Sequence, residues 1–255
     1  MARPYHDGMG RAAADRGRSR GEDGRDLRRV VSDLLLVVGG IVLAFPLWTG
    51  LFTAVQQGRL DEAYGRETTA FRVAVRTAQE ARPKRELPPE IELRGLARVF
   101  AVNLRTGDPI GRLQISRIGL DAVVQHGVTG AASLDPDGDR SLLRKGPVHY
   151  GNTPLPGEGE PFAVAGHRTT YGAPFSRLDE LRPGDRMVVQ TPYAHLTYEV
   201  AKVTTVSPDD VGVLLDRGYG LVLTTCTPRY SASHRLVVWG QLTSFRLLES
   251  LRSQG

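Results

Sequence analysis

Residues 34–55 are apolar apart from Thr49, Thr53 and the backbone breakers Gly39, Gly40, Pro46 and Gly50. About 22 residues at ~1.5 Å each reach ~33 Å, enough to cross a hydrocarbon core of ~30 Å. This stretch predicts one membrane span and divides the chain unequally. The apolar region of a cleaved leader is shorter, and the segment before this one is long, so the pattern predicts an uncleaved anchor. Arg16, Arg18, Arg20, Arg25, Arg28 and Arg29 precede the span, whereas Arg59 and Arg66 after it are diluted by Asp61, Glu62 and Glu67. The excess of arginine on one side predicts a cytoplasmic N-terminus, with everything beyond the span outside the cell membrane. Residues 1–33, rich in Gly, Arg, Asp and Ala without apolar periodicity, read as a disordered cytoplasmic tail.

Residues 56–98 are strongly charged and end on Arg82-Pro83-Lys84-Arg85 and Leu87-Pro88-Pro89-Glu90. They predict a helix running into an extended stalk that holds the next part away from the bilayer. From residue 99 to 245 the texture changes to short β-branched runs, at 113–118, 120–125, 162–165, 187–191, 196–206, 221–225 and 236–242. Turn sequences separate them, among them Asp135-Pro136-Asp137-Gly138, Pro154-Leu155-Pro156-Gly157 and Pro183-Gly184-Asp185. Only 173–181 and 209–215 read as helical. Many strands with little crossover helix predict a mainly β domain closed into an antiparallel or mixed barrel. Residues 246–255 form a polar C-terminal tail.

The formal charge of +5 would suggest a nucleic-acid partner if it lay on the β domain. It does not: residues 1–29 carry 8 Arg against 5 acidic residues, while residues 100–255 carry 16 basic against 15 acidic. Nucleic acid is therefore excluded as a partner.

Cys226 is the single cysteine, so it has no intrachain disulfide partner in a compartment that favours disulfides. It ends the run Leu221-Val222-Leu223-Thr224-Thr225, and Arg235 heads the run Leu236-Val237-Val238-Trp239. Upstream, Phe162-Ala163-Val164-Ala165 ends at Gly166-His167-Arg168. A thiol, an imidazole and a guanidinium at strand ends are equipment for thiolate attack on a carbonyl, with the arginine stabilising the oxyanion. His234 is a rival to His167, but on a regular strand it faces away from Arg235. One cysteine and no His-Glu-x-x-His pattern give no metal site, and no cofactor is required. Asp135, Asp137 and Asp139 superficially resemble a calcium loop, but lack its spacing and read first as a turn.

With these residues in place, the segment from Pro109 to Leu242 resembles the sortases, cysteine transpeptidases that attach proteins to Gram-positive cell walls. Their Thr-Leu-x-Thr-Cys signature is matched by Val222-Leu223-Thr224-Thr225-Cys226 except at its first position, where valine keeps the β-branched shape. The runs Gly166-His167-Arg168-Thr169-Thr170-Tyr171-Gly172-Ala173-Pro174-Phe175 and Gly146-Pro147-Val148-His149-Tyr150 are most like the class E enzymes of actinobacteria. The resemblance implies a sortase-type barrel of about eight strands. It implies Cys226 as nucleophile, His167 as proton donor, Arg235 as the oxyanion and substrate ligand, and Tyr150 and Thr225 as substrate-binding residues. The implied partners are secreted proteins bearing Leu-Ala-x-Thr-Gly or Leu-Pro-x-Thr-Gly-like sorting signals and an amine of the peptidoglycan precursor. A hydrolase using the same cysteine, or an inactive tethered peptide-binding module, would carry the same fold.

Overall fold

The computed structural model describes residues 15–80, 87–127, 140–159, 161–216, 218 and 220–248. The Asp135–Asp139 turn and the last residues of the C-terminal tail lie outside the described residues. Two compact units divide the chain, Met1–Trp48 and Thr49–Gly255.

Helix α1 runs from Asp15 to Glu80 and so enters both units. In the first unit Leu34, Leu35, Leu36, Ile41, Val42, Leu43, Phe45 and Leu47 are all exposed. A helix with apolar side chains exposed all round suits a lipid environment. Its stretch Arg28–Ala78 contains an 18-residue window of mean hydropathy 2.4, long and apolar enough to cross a membrane. The helix includes residues 15–33, for which the sequence predicts disorder. Extending an existing helix adds one hydrogen bond per residue fixed, whereas starting one does not, so the apolar segment carries its polar flank along.

The second unit is a closed barrel of eight strands. These are β1 (Pro109–Ile115), β2 (Leu120–His126), β3 (Val148–His149), β4 (Phe162–Ala165), β5 (Arg186–Gln190), β6 (Ala194–Val206), β7 (Leu221–Thr227) and β8 (His234–Leu247). Their order around the barrel is β1-β2-β3-β4-β7-β8-β6-β5, with β5 pairing back to β1. Two pairs are parallel, β2 with β3 and β4 with β7; the other six are antiparallel. The seven runs predicted from sequence all appear, with ends shifted by a few residues. The two-residue β3 is too short to show a period. The predicted helices at 173–181 and 209–215 are instead turns with 3-10 segments at Leu178–Glu180 and Val211–Leu214. Pro174 and Pro183 bracket the first, and Gly212 interrupts the second, which leaves neither room for a regular helix.

All four residues of β4 and the first five of β7 are buried, so both faces of these strands are covered. One face fills the barrel with Phe162, Val164, Leu221, Leu223, Leu236 and Val238 among others. The opposite face carries Ala163, Ala165, Val222, Val237 and Trp239, packed under Leu142 and Leu143 of the short helix α2 (Arg140–Leu143) and under Val213 and Leu214. Burying a large apolar side chain contributes roughly 1.5–3 kcal/mol, which makes these two layers the main source of stability.

The charged segment 56–98 is helical over residues 56–80 and 89–98, and residues 81–86 lie outside the described residues. Residues 49–80 are helical, and helix α3 (Pro89–Ala101) packs Leu93, Leu96, Ala97 and Phe100 into the barrel core. Phe71 of α1 meets Phe100 and Tyr193 edge-on, with ring centroids 5.3 and 6.3 Å away. Gln57 lies along β2 where β3 has not yet begun. Its Oε1 accepts the Val123 N–H at 2.8 Å, while its Nε2 donates to Val123 O at 3.3 Å and to Lys145 O at 2.8 Å. The amide thereby stands in for a neighbouring strand, satisfying backbone groups that burial would otherwise leave unpaired. Tyr64 donates to Gln190 O at 2.9 Å, and Arg112 pairs with Asp61 and Asp121. Charge along the segment suggested solvent; its apolar and amide groups, spaced to one helix face, decide where it lies.

His149 is wholly buried, with its Nδ1 3.1 Å from His126 Nδ1 and its Nε2 3.0 Å from Thr153 Oγ1. Burial, and then the neighbouring His126, push its pKa down to about 3. The folded state therefore binds fewer protons than the unfolded chain between about pH 6.5 and 3, and stability present above that window is lost as pH falls through it. Burial, reinforced by Asp108, raises the partly exposed Glu67 to about 7, which opposes this trend. We expect the melting temperature to drop between pH 6.5 and 4, and His149→Gln to flatten that drop, as followed by circular dichroism; an equal acid response in the variant would remove His149 as the cause.

Candidate active site

The parallel ladder of β4 and β7 ends with Ala165 opposite Thr224. One further step is made by the Gly166 N–H to Thr224 O at 3.2 Å and by Thr225 Oγ1 donating to Gly166 O at 2.8 Å. His167 and Cys226 each stand two residues beyond the last rung, at the same end of adjacent strands. On the other side of β7, Cys226 lies directly opposite Arg235 of β8. The topology thus brings the three sequence-predicted residues to one edge of the barrel.

Strand alternation sets the face of each. Cys226 follows Val222 and Thr224, and Arg235 precedes Val237 and Trp239, so both belong to the outer layer that includes Ala163 and Ala165. Cys226 and His167 are half-buried, whereas Arg235 is 6% exposed. Arg235 Nη1 donates to Ala232 O at 2.9 Å and to His234 O at 3.3 Å, bonds that orient the guanidinium. His234 is exposed and its Nδ1 meets Ser233 Oγ at 3.1 Å, in keeping with its alternate face.

Tyr150 is buried in the same outer layer, with its hydroxyl 2.7 Å from Thr224 Oγ1. Thr225, expected to bind substrate, does not share this face. It stands between Thr224 and Cys226, is 3% exposed, and engages its hydroxyl with Gly166. Its structure is that of a tie between the strand carrying Cys226 and the loop carrying His167.

A second arginine, which the sequence did not single out, completes the edge. Arg168 is 6% exposed, and its Nη1 donates to Thr227 Oγ1 at 2.6 Å and to Cys226 O at 3.3 Å. Its Nη2 pairs with Asp179 at 3.0 Å, with Arg229 4.0 Å from the same carboxylate. Carbonyl, hydroxyl and carboxylate partners replace water around the two terminal nitrogens of this buried charge, while its Nε is left without a hydrogen-bond partner. Its signal in the sequence was only its place beside His167. Among the described residues, no group of three or more His, Cys, Asp or Glu side chains is placed to hold a metal.

A thiol facing a buried guanidinium across one pair of strands, and an imidazole at the end of another, can carry out nucleophilic acyl chemistry. Residues 113–243, about half of the chain, match the sortase domain family, and the chain belongs to that family. It is similar to sortase SrtE1 of Streptomyces coelicolor, 38% identical over 95 residues, which cover 33% of this chain and 27% of that protein. It is also similar to sortase D of Bacillus subtilis, 31% identical over 141 residues that cover 53% of this chain and 65% of that one. The crystal structure of Streptococcus pneumoniae sortase C superposes with a TM-score of 0.52 at 25% identity, covering 75% of this chain and 97% of the other. The matched region thus spans from about a quarter to just under two thirds of these two curated relatives. Within the family, the resemblance is to class E.

Replacing Thr225 by valine keeps the side chain's volume and removes only the hydroxyl. With Gly166 O left without that donor in a buried site, stability falls by about 1–3 kcal/mol. Chemical denaturation of the variant should show the lower midpoint; an unchanged midpoint would mean that the tie contributes nothing.

Proposed function

We propose that the chain is a membrane-anchored sortase, with its N-terminus in the cytoplasm and its barrel outside. It cleaves the Thr–Gly bond of a Leu-Ala-x-Thr-Gly or Leu-Pro-x-Thr-Gly-like sorting signal and transfers the protein to an amine of the peptidoglycan precursor. The observation that carries the reading is the cross-strand pair Cys226 and Arg235 with His167 at the matching end of the neighbouring strand.

Cys226 attacks as thiolate, the reactive form of a cysteine. Its sulfur forms a bond to the threonine carbonyl carbon, and negative charge develops on the carbonyl oxygen. The Arg235 guanidinium, permanently charged and held by two backbone carbonyls, donates to that oxygen. The C–N bond to glycine then breaks, and imidazolium His167 protonates the leaving amine. A thioester on Cys226 remains. The acceptor amine attacks it, His167 takes the amine's proton, and the thiolate returns as the new amide forms. Tyr150, in the wall of the same face, contributes to selection of the sorting signal. Water in place of the amine would make the same site a hydrolase.

The test uses the full chain in detergent micelles with a Leu-Ala-x-Thr-Gly peptide and a glycine or diaminopimelate-type amine, with products identified by mass. A peptide–amine conjugate and an acyl-enzyme on Cys226 are expected from the wild type and not from Cys226→Ala. His167→Ala and Arg235→Ala should each lower the rate about 10²–10⁴-fold. Cleavage without conjugate would assign a hydrolase, and neither thioester nor cleavage, with Leu-Pro-x-Thr-Gly included, would leave only peptide binding.

A further inference from the structure

The loop after His167 has an unusual backbone. Tyr171, Gly172 and Ala173 are three successive residues of positive φ, at 51°, 70° and 43°. Glycine tolerates this region; tyrosine and alanine do not, because Cβ crowds the following carbonyl. Such a conformation persists only where its surroundings hold it, and it concentrates where function requires it. Within the loop, the Ala173 N–H donates to Thr170 O at 2.9 Å and the Phe175 N–H donates to His167 O at 3.0 Å. Phe175, fully buried, packs its ring over Gly166 so closely that a Cβ there would stand 2.7 Å from the ring.

The remaining support comes from α1. Thr53 is buried at 7% exposure and touches two loops at once. Its Oγ1 donates to Arg144 O at 2.9 Å, and its Cγ2 lies where a Cβ on Gly172 would be only 3.2 Å away. Arg144 in turn places its guanidinium 5.5 Å from the centre of the Tyr171 ring. That ring lies 5.4 Å from the His167 imidazole, tilted by 34°. Thr53 thus stands against the middle of the positive-φ triplet, where it leaves little room for a side chain at Gly172, and is linked through Arg144 to the residue that flanks the imidazole.

We propose that Thr53 of α1 and Tyr171 are positioning residues for His167: the docked helix fixes the positive-φ loop, and the loop holds the Tyr171 ring against the imidazole. This rests on His167 serving as the proton donor. The physical link is a contiguous set of packed groups, not distance alone. Tyr171 supplies a flat, electron-rich face that suits an imidazolium, and that face requires the ring and not its hydroxyl.

The test measures kcat and KM of the full chain in micelles for Tyr171→Leu, Tyr171→Phe, Thr53→Ala and the Thr53→Ala/Tyr171→Leu double variant. In parallel, the His167 ring resonances are followed by NMR with ¹⁵N-labelled histidine. Tyr171→Leu should lower kcat about tenfold with KM nearly unchanged, since a misplaced donor affects proton transfer more than peptide binding. Tyr171→Phe should restore the rate. Thr53→Ala should lower kcat about threefold and shift the His167 signal, and the double variant should fall no further than Tyr171→Leu alone, because both act through one loop. Additive losses, an effect on KM only, or a phenylalanine variant as slow as leucine would overturn the inference. A wild type without turnover would sink the sortase reading. The NMR arm would still decide: an unmoved His167 signal in Thr53→Ala refutes the coupling, and a moved one supports it.

Discussion

The parallel pairing of β4 with β7 is the constraint on which the rest of the site depends. Antiparallel neighbours would put the ends of these two strands at opposite edges of the barrel. Because they run the same way and in fixed register, the residues just past Ala165 and Thr224 emerge together. The antiparallel return of β8 then needs only a short loop to bring Arg235 back opposite Cys226. The edge that gathers these residues is thus a product of chain direction more than of any one side-chain contact. Side-chain ties such as Thr225 to Gly166 and Arg168 to Thr227 hold the loops where the ladder has ended.

Two buried layers make that edge firm. The barrel interior is filled by large aliphatic and aromatic groups, while the outer face of β4, β7 and β8 is covered by Leu142, Leu143, Val213 and Leu214. Strands buried on both faces cannot slip by one residue without placing an entire set of side chains in the wrong layer. The polar groups that do lie inside, Arg168 and His149 among them, are consequently fixed by specific partners, and each carries its own electrostatic requirement.

Much of this was legible in the sequence, for physical reasons that can be named. The seven long strands show as β-branched runs between Gly and Pro turns, and Cys226, His167 and Arg235 show because each stands where such a run begins or ends. The apolar stretch 34–55 shows by length, but its last turns belong to the unit that holds the barrel, where Thr49 and Thr53 are buried. What was hidden depends on tertiary contact. β3, at two residues, has no period to read. Thr225 looked like part of a binding motif, yet alternation turns it away from Cys226. Gln57 and Thr53 are ordinary helix residues until a strand edge and a glycine loop are set beside them. Charge in 56–98 suggested a stalk, because a helix with one docked face and one wet face has the same composition as a solvated one. Arg168 had no signal beyond its neighbour, since nothing local distinguishes a buried guanidinium from an exposed one.

The closure of the barrel limits how an extended peptide can be recognised. Many proteins hold such a peptide by letting it add as one more strand to an open sheet edge. Here every strand has a neighbour on both sides for at least part of its length, and where β7 runs on beyond β4, Arg168 sits on the carbonyl of Cys226 and the hydroxyl of Thr227. The carbonyl of Cys226 is therefore already engaged by a side chain rather than offered to another backbone. In the function proposed above, discrimination would rest on the shape and chemistry of side chains in the outer layer, so a few changes there would redirect the choice of peptide while the barrel itself stays as it is.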